Sequence, residues 1–213
     1  MLEAAKRDAE SIGVETETRT ILSHRGIEEV FDAARRTDAS AVLMGYGDAR
    51  FLGGRVENPI EELANSLPCD FLVLNDRGFD PSRVLLPTAG GYSSGLSAEV
   101  ARALRDILGA DVSVLYVAEN GDIEAGREFI TDWALEHRLT DADILVESGN
   151  IEAAIERNAT DHSLVVIGAT GQGLLARAIG GSLTFSILEN LDISVLVAER
   201  PSDRSILERL FGR

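Results

Sequence analysis

The sequence predicts an α/β protein built on a doubly wound parallel sheet. Short apolar runs rich in β-branched residues, such as Ser163–Gly168, alternate along the chain with amphipathic helical patterns. A run that is apolar at every position is typical of a strand covered on both faces, as in a parallel sheet. Strands that alternate with helices form βαβ units, which make neighbouring strands parallel. Both observations therefore favour the same fold class.

The composition is that of a globular protein with a substantial core. The chain has 213 residues, of which 45% are hydrophobic, and this length suits one large domain or two small ones. No apolar run reaches membrane-spanning length and no signal peptide opens the chain, so we expect a cytoplasmic protein. Cys69, the single cysteine, precludes an internal disulfide and is expected in the core.

The chain is strongly acidic. It carries 36 acidic and 20 basic residues, for a formal net charge of −16, and Lys6 is its only lysine. A concentrated-salt cytosol would screen the resulting repulsion, so a halophilic source is a hypothesis. The same charge argues against nucleic acid as a partner.

The first part of the chain predicts three helices and three strands. The helical patterns are Met1–Ile12, Gly26–Arg36 and Pro59–Leu67, and the strand patterns are Val14–Leu22, Ala41–Met44 and Phe71–Leu74. Val14–Leu22 is predicted as a strand because its Val, Thr and Ile residues alternate with polar ones. The turn-rich segment Asn75–Pro81 follows and indicates a linker.

After the linker, strands and helices alternate more regularly. The strand patterns are Val84–Leu86, Val112–Ala118, Ile144–Val146, Ser163–Gly168 and Val195–Ala198, and the helical patterns are Leu96–Leu108, Glu124–Arg138 and Ile151–Ala159. The tail carries Ile206, Leu207, Leu210 and Phe211 at helical spacing. This spacing predicts an amphipathic C-terminal helix.

An internal repeat relates the two parts of the chain. Gly26–Gly45 and Gly149–Gly168 have the same length, and Phe71–Leu74 aligns with Val195–Ala198 when the first intervening loop is one residue shorter. The first part therefore corresponds to the later portion of the second. It lacks a counterpart of the opening strand, helix and strand.

A glycine-rich segment follows the strand pattern that ends at Gly168. It contains Gly171, Gly181 and Ser182, the last at the N-cap position of a predicted helix. Glycines permit close backbone approach and inward-pointing N–H groups, and a helix N-terminus favours negative charge. A phosphate group suits these features. The alternative interpretation is an ordinary connection that needs glycine only for its turns.

The spacing Gly168-x2-Gly171-x9-Gly181-Ser182, between two apolar strands, resembles the nucleotide-binding signature of the universal stress protein family. The resemblance implies that these four residues hold the phosphates of ATP or AMP, with Mg²⁺ present only together with the nucleotide. It also implies that the backbone of Val117 meets the adenine. No catalytic residue and no metal ligand of the protein itself follow from the resemblance.

The resemblance also implies a domain arrangement. We expect a partial universal stress protein module at 1–76, a complete module at 83–201 and an amphipathic helix at 202–213. The fold would then be the doubly wound α/β fold of that family, in tandem copies. Members of the family include tandem modules fused to the cytoplasmic end of amino-acid permeases, so the chain resembles the cytoplasmic part of an archaeal amino-acid transporter.

The sequence departs from the family's pattern at two places. Ala89 stands after the first strand of the complete module, where nucleotide-binding members carry an Asp that holds the adenosine. In the first copy Gly45 remains, but Asp48 replaces the second glycine and Glu57-Asn58 replaces the Gly-Ser pair. Negative charge would then lie where phosphate should bind, so we expect no nucleotide in the first copy.

The function implied by the resemblance is a nucleotide-responsive regulatory domain of the stress response, with ATP hydrolysis weak at most. Val195–Ala198 is expected to be an edge strand through which two copies of the chain pair as a homodimer. The alternative is a dimerisation or docking module that binds no nucleotide, which the substitution at Ala89 favours. A nucleotide titration distinguishes the two functions.

A third function, a serine hydrolase, follows from Gly91-Tyr92-Ser93-Ser94-Gly95, which has the form GxSxG. A hydrolase would need a histidine near Ser93 at the carboxyl edge of the sheet, whereas His137 and His162 are expected at the opposite edge. The simpler prediction is that Ser93 or Ser94 caps the next helix. Trp133 is predicted to lie in the core, because it falls on the apolar face of its helix.

Overall fold

The computed structural model of the chain describes residues 2–25, 27–46, 68–118, 121–168 and 190–201. The helices in these residues are α1 Leu2–Ser11, α2 Ile27–Arg36, α3 Tyr92–Leu108, α4 Ile123–Glu136 and α5 Ile151–Ala159. The strands are β1 Ala41–Gly45, β2 Asp70–Asn75, β3 Arg83–Pro87, β4 Asp111–Ala118, β5 Asp143–Ser148, β6 Leu164–Gly168 and β7 Ser194–Glu199. The predicted helices at Pro59–Leu67 and 202–213 lie outside the described residues.

The strands form one seven-stranded sheet in the order β1-β2-β7-β6-β3-β4-β5. Every neighbouring pair is parallel except β2 and β7, which are antiparallel. Strands β3, β4, β6 and β7 are apolar and largely buried, as the continuous apolar runs predict.

Helices cover both faces of the sheet, so the predicted doubly wound α/β fold is confirmed. Val84 and Leu86 of β3 belong to one hydrophobic cluster together with Trp133 of α4, whereas Leu85 belongs to a second cluster with Ile155 of α5. Neighbouring residues of a strand point to opposite faces, so the two clusters are the two cores of a doubly wound sheet. The prediction that Trp133 lies in the core is confirmed.

Two polar N-caps explain where α4 and α5 begin, and a glycine explains where α3 ends. The side chain of Asp122 accepts a hydrogen bond from the backbone N–H of Ala125 (3.0 Å), and Asn150 accepts one from Ala153 (2.8 Å). Both are N-caps, which satisfy N–H groups that the first helical turn leaves unpaired. Gly109 ends α3 in the left-handed conformation, with φ of 72°, for which glycine is the preferred residue.

The pairing of β2 with β7 is symmetric about one residue pair. Val73 lies opposite Val197, Phe71 opposite Glu199 and Asn75 opposite Val195. In the repeat found in the sequence, Phe71 corresponds to Val195 and Asn75 corresponds to Glu199. If each residue of β2 is exchanged with its counterpart in β7, the same set of pairs results. A local two-fold axis therefore relates the two strands and passes between Val73 and Val197.

Two expectations about strands are wrong. Residues 14–22 form no strand, although their alternating pattern predicts one, because a strand needs a hydrogen-bonded neighbour and none is provided there in the described part of the sheet. Strand β7 is not an edge, since β2 and β6 pair with its two sides. The position expected to pair with a second chain is thus filled by β2 of the same chain.

The helix predicted at Leu96–Leu108 begins earlier than expected. Helix α3 starts at Tyr92, with Gly91 as its N-cap and no side-chain hydrogen bond at the cap, so the prediction that Ser93 or Ser94 caps it is wrong.

Cys69 is buried, as predicted, and the burial raises the pKa of its thiol. None of the helices in the described residues is long and apolar enough to cross a membrane.

Candidate functional site

The candidate site lies at the carboxyl edge of the central strands β4, β3 and β6. These strands are neighbours and run parallel, so their carboxyl ends meet at one edge of the sheet. In open α/β sheets ligands bind at this edge. Thr88, Val117 and Gly168 lie at or directly after these strand ends.

The chain leaves β3 through a turn that Thr88 organises. The backbone N–H of Thr88 donates to the carbonyl oxygen of Leu115 on β4 (2.9 Å), which prolongs the pairing of the two strands. The Thr88 hydroxyl accepts a hydrogen bond from the N–H of Gly90 (3.0 Å). Ala89 is exposed between them, and its methyl group offers no hydrogen bond to a ligand at this edge.

Gly90 is required in this turn for two reasons. Its φ is 73°, a left-handed conformation that costs other residues about 1–2 kcal/mol. A Cβ added to Gly90 would lie 2.4 Å from Cζ of Phe129. The Phe129 ring would have to move, and it would lose its contact with Tyr116, whose ring centroid is 5.1 Å away.

We expect Gly90→Ala to lower the free energy of unfolding by about 2 kcal/mol, from the backbone strain and the lost aromatic contact together. Gly78→Ala is the matched control, because Gly78 also has a positive φ, of 90°, but nothing lies within 4 Å of an added Cβ. It should lose only about 1 kcal/mol. Urea unfolding measures both values. Equal losses in the two variants would show that Phe129 does not restrict Gly90.

Val117 is the last residue but one of β4, near the carboxyl end of the strand. Its side chain is half-buried and packs against the second hydrophobic cluster, and Val117 is paired with Glu147 of β5. Hydrogen bonds from the Asn158 amide and from Arg157 lower the pKa of the Glu147 carboxyl. Glu147 is therefore ionised at neutral pH, and its charge is compensated by Arg157 rather than directed at a ligand.

Gly168 ends β6 in a buried position and lies opposite Ala198 of β7. The structure thus places two of the five predicted binding residues, Val117 and Gly168, at the same edge of the sheet. Gly171, Gly181 and Ser182 lie outside the described residues, and so do Asp48 and Glu57-Asn58 of the first copy.

His137 lies closer to the start of α3 than the sequence predicts. His137 was expected at the opposite edge, but its Nε2 lies only 3.8 Å from where a Cβ on Gly95 would be. The imidazole stacks on Trp133, and its Nδ1 bonds the Trp133 carbonyl oxygen (2.8 Å). Ser94 is buried, and the side chain of Ser93 is not described. Sequence reasoning missed this position because it depends on how α4 and α3 lie relative to each other, which local patterns do not specify.

In the described part of the chain, no three His, Cys, Asp or Glu residues come together as a metal site would require. The described elements of the candidate site are backbone groups and small side chains. Such a surface suits a ligand that accepts hydrogen bonds from backbone N–H groups and fits the shape of the site.

Comparison with known proteins supports this fold. The sequence model of the Universal stress protein family matches residues 130–199. No curated protein sequence matches the chain closely enough to count as a relative. The matched segment begins within α4 and includes β5, α5, β6 and β7, so it contains the whole glycine-rich segment.

Some solved structures resemble nearly the whole chain, and others resemble little more than half of it. A universal stress protein from Archaeoglobus fulgidus superimposes with a TM-score of 0.69 at 19% identity, covering 95% of this chain and 76% of that one. A protein of unknown function from Pseudomonas aeruginosa has a TM-score of 0.58 at 17% identity, covering 98% of this chain and 80% of that one. A universal stress protein in complex with cAMP matches 57% of this chain and 99% of its own length, with a TM-score of 0.48 at 20% identity. The chain therefore has the universal stress protein fold, and its residues 130–199 match the sequence model of that family.

Proposed function

We propose that the chain is a nucleotide-responsive regulatory domain that binds ATP or AMP at 168–182. The observation that carries the proposal is the position of Gly168. It lies at the carboxyl end of β6, beside the ends of β3 and β4, where the glycine-rich segment leaves the sheet. Parallel α/β sheets bind ligands at such an edge, and backbone N–H groups in glycine-rich segments suit phosphate.

In the proposed complex Gly168, Gly171, Gly181 and Ser182 bind the phosphates through N–H groups and a hydroxyl, and Mg²⁺ binds only with the nucleotide. The backbone of Val117 meets the adenine. Ala89 cannot hold the adenosine, whereas an Asp at that position could. The phosphates therefore supply a larger share of the binding free energy than they would in a site that carries the Asp. The ligand acts by ordering 168–182, which changes the surface offered to a partner.

The tandem arrangement and the transporter context belong to the same proposal. The repeat and the symmetric pairing of β2 with β7 support two copies of one module, the first of them partial. Fusion to the cytoplasmic end of an amino-acid transporter would let the nucleotide regulate transport. A homodimer, if formed, must use a surface other than β7, since both sides of β7 are already paired.

The test is calorimetric titration of the purified chain with ATP and Mg²⁺, and separately with AMP, at high salt. We expect saturable binding of one nucleotide per chain. Binding of two would contradict the expectation that the acidic residues Asp48 and Glu57 exclude nucleotide from the first copy. No heat, together with no nucleotide released when the protein is denatured, would reject the nucleotide function and leave the docking module.

The hydrolase alternative rests on the GxSxG motif alone, because His137 lies beside Gly95 and residues two positions apart in a helix, such as Ser93 and Gly95, face different directions. It requires that a serine-directed acylating probe label the chain and that Ser93→Ala abolish the labelling. Labelling that persists in Ser93→Ala would exclude this function.

A further inference from the structure

We infer that the sheet edge formed by β1 is a docking surface for a strand–helix–strand unit built like β3–α3–β4. The inference comes from comparing the two parts of this chain with each other, and it does not depend on nucleotide binding.

Strands β1 and β6 are counterparts in the repeat, with Ala41 corresponding to Leu164. Strand β6 has β7 on one side and β3 on the other. Strand β1 has β2 on one side, and within the described residues nothing pairs with its other side. Its outer N–H and C=O groups therefore form an open edge, which can accept a further strand.

Exposed apolar side chains mark the same place. Leu43 of β1 is 61% exposed, whereas its counterpart Val166 of β6 is 0% exposed in the core cluster that includes β3. A single exposed apolar side chain is ordinary, but the contrast between these two counterparts shows that the element covering Val166 has no equivalent over Leu43 within the described residues. The missing neighbour of β1 is thus the counterpart of β3.

A second strand is missing beyond the first. The counterparts of Ile144 and Leu145 in β5 are Ile21 and Leu22, if Gly26 is aligned with Gly149. Strand β5 pairs with β4, and Ile144 packs against a core cluster. By contrast, Leu22 is 96% exposed, and residues 14–22 form no strand. Two adjacent parallel strands would complete this part of the sheet, and they must be joined by a crossover, usually a helix.

A second copy of the chain does not fit this position. Strands β3 and β4 are paired on both sides within their own sheet, so a folded copy cannot offer them. Within the described residues, such a copy offers only β1 or β5 as an outer strand. Contact between β1 and an outer strand of a second copy would cover β1, but it would not restore the neighbour of residues 18–22. It would also bring together two chains that each have a net charge of −16 and therefore repel.

The test adds the missing unit to the full chain. A second copy of residues 81–122 is fused ahead of Met1, so that Asp122 of the added copy precedes α1 as Asp122 of the chain precedes α4. We expect hydrogen exchange of the amides at 41–45 and at 19–23 to slow at least 10-fold relative to the unextended chain. The matched control carries Val84→Asp and Leu85→Asp in the added copy only, and it should show no slowing. Equal exchange in the extended chain and the control would overturn the inference.

A measurement on the unextended chain keeps the test decisive if the fusion does not fold. Leu43→Asp should leave the urea midpoint of unfolding unchanged, whereas Val166→Asp should lower it strongly, because only Val166 is covered. A large decrease for Leu43→Asp would mean that the edge is already covered. Concentration-dependent dimerisation that slows exchange at 41–45 and is lost in Leu43→Asp would identify a second copy as the occupant, and the inference would be wrong.

Discussion

Replacing Gly171 by Asp is expected to weaken ATP binding about 100-fold or more. The proposed site binds phosphate through backbone N–H groups of the glycine-rich segment, so a carboxylate there would lie a few ångströms from the triphosphate. Two like charges 4 Å apart repel by roughly 1 kcal/mol in water and by roughly 4 kcal/mol at the effective dielectric of a protein surface. The added side chain also removes the close approach that glycine permits. Calorimetric titration with ATP and Mg²⁺ measures the loss.

Gly78→Asp is the matched control for charge and for glycine removal. Gly78 lies in the linker before β3, at a position where an added Cβ would contact nothing within 4 Å. We expect ATP affinity within about twofold of that of the wild-type chain, since the added charge is far from the site and is screened at high salt. Ser182→Ala should weaken binding less than Gly171→Asp, because it removes one hydroxyl and adds no charge. Unchanged affinity in Gly171→Asp would exclude 168–182 as the phosphate site.

Phe71→Ala should lower the free energy of unfolding by about 3–5 kcal/mol, the usual cost of removing a buried aromatic ring. Phe71 of β2 and Phe31 of α2 are each 1% exposed, and their rings meet edge to face with centroids 5.5 Å apart. This pair joins α2 to β2. Deleting one ring removes apolar burial and leaves a cavity beside the other.

Phe79→Ala is the control for Phe71→Ala, because Phe79 is 44% exposed in the linker. We expect it to change the free energy of unfolding by less than about 0.5 kcal/mol. A double-mutant cycle with Phe31→Ala should give a coupling of about 1 kcal/mol for the aromatic pair. A loss below about 1 kcal/mol for Phe71→Ala would show that α2 is not packed on β2 in solution.

The fold could be predicted from the sequence because the central strands are apolar on both faces and regularly spaced. Predicted and observed bounds agree for α5, Ile151–Ala159, and differ by a residue or two for most strands. These elements are specified locally, by apolar periodicity and by the N-caps Asp122 and Asn150. The same local signals place Val117 and Gly168 at strand ends on one edge.

The features that sequence reasoning missed depend on contacts between distant residues. Residues 14–22 have a strand pattern, but a pattern does not supply the neighbour that a strand needs. The predicted dimer edge at β7 was wrong because β2, more than 100 positions earlier in the chain, occupies it. The closeness of His137 to Gly95 depends on how α4 and α3 lie relative to each other, which no local pattern in the sequence specifies.

The most direct test of the proposed nucleotide site is hydrogen exchange of the full chain with and without saturating ATP and Mg²⁺. We expect the amides of 168–182 and of the β4 end at 115–118 to exchange more slowly with the nucleotide, while those at 41–45 and 70–75 stay unchanged. That result would locate the ligand at the carboxyl edge of β4 and β6. Protection confined to other segments, or no protection although calorimetry shows saturation, would contradict the proposed site.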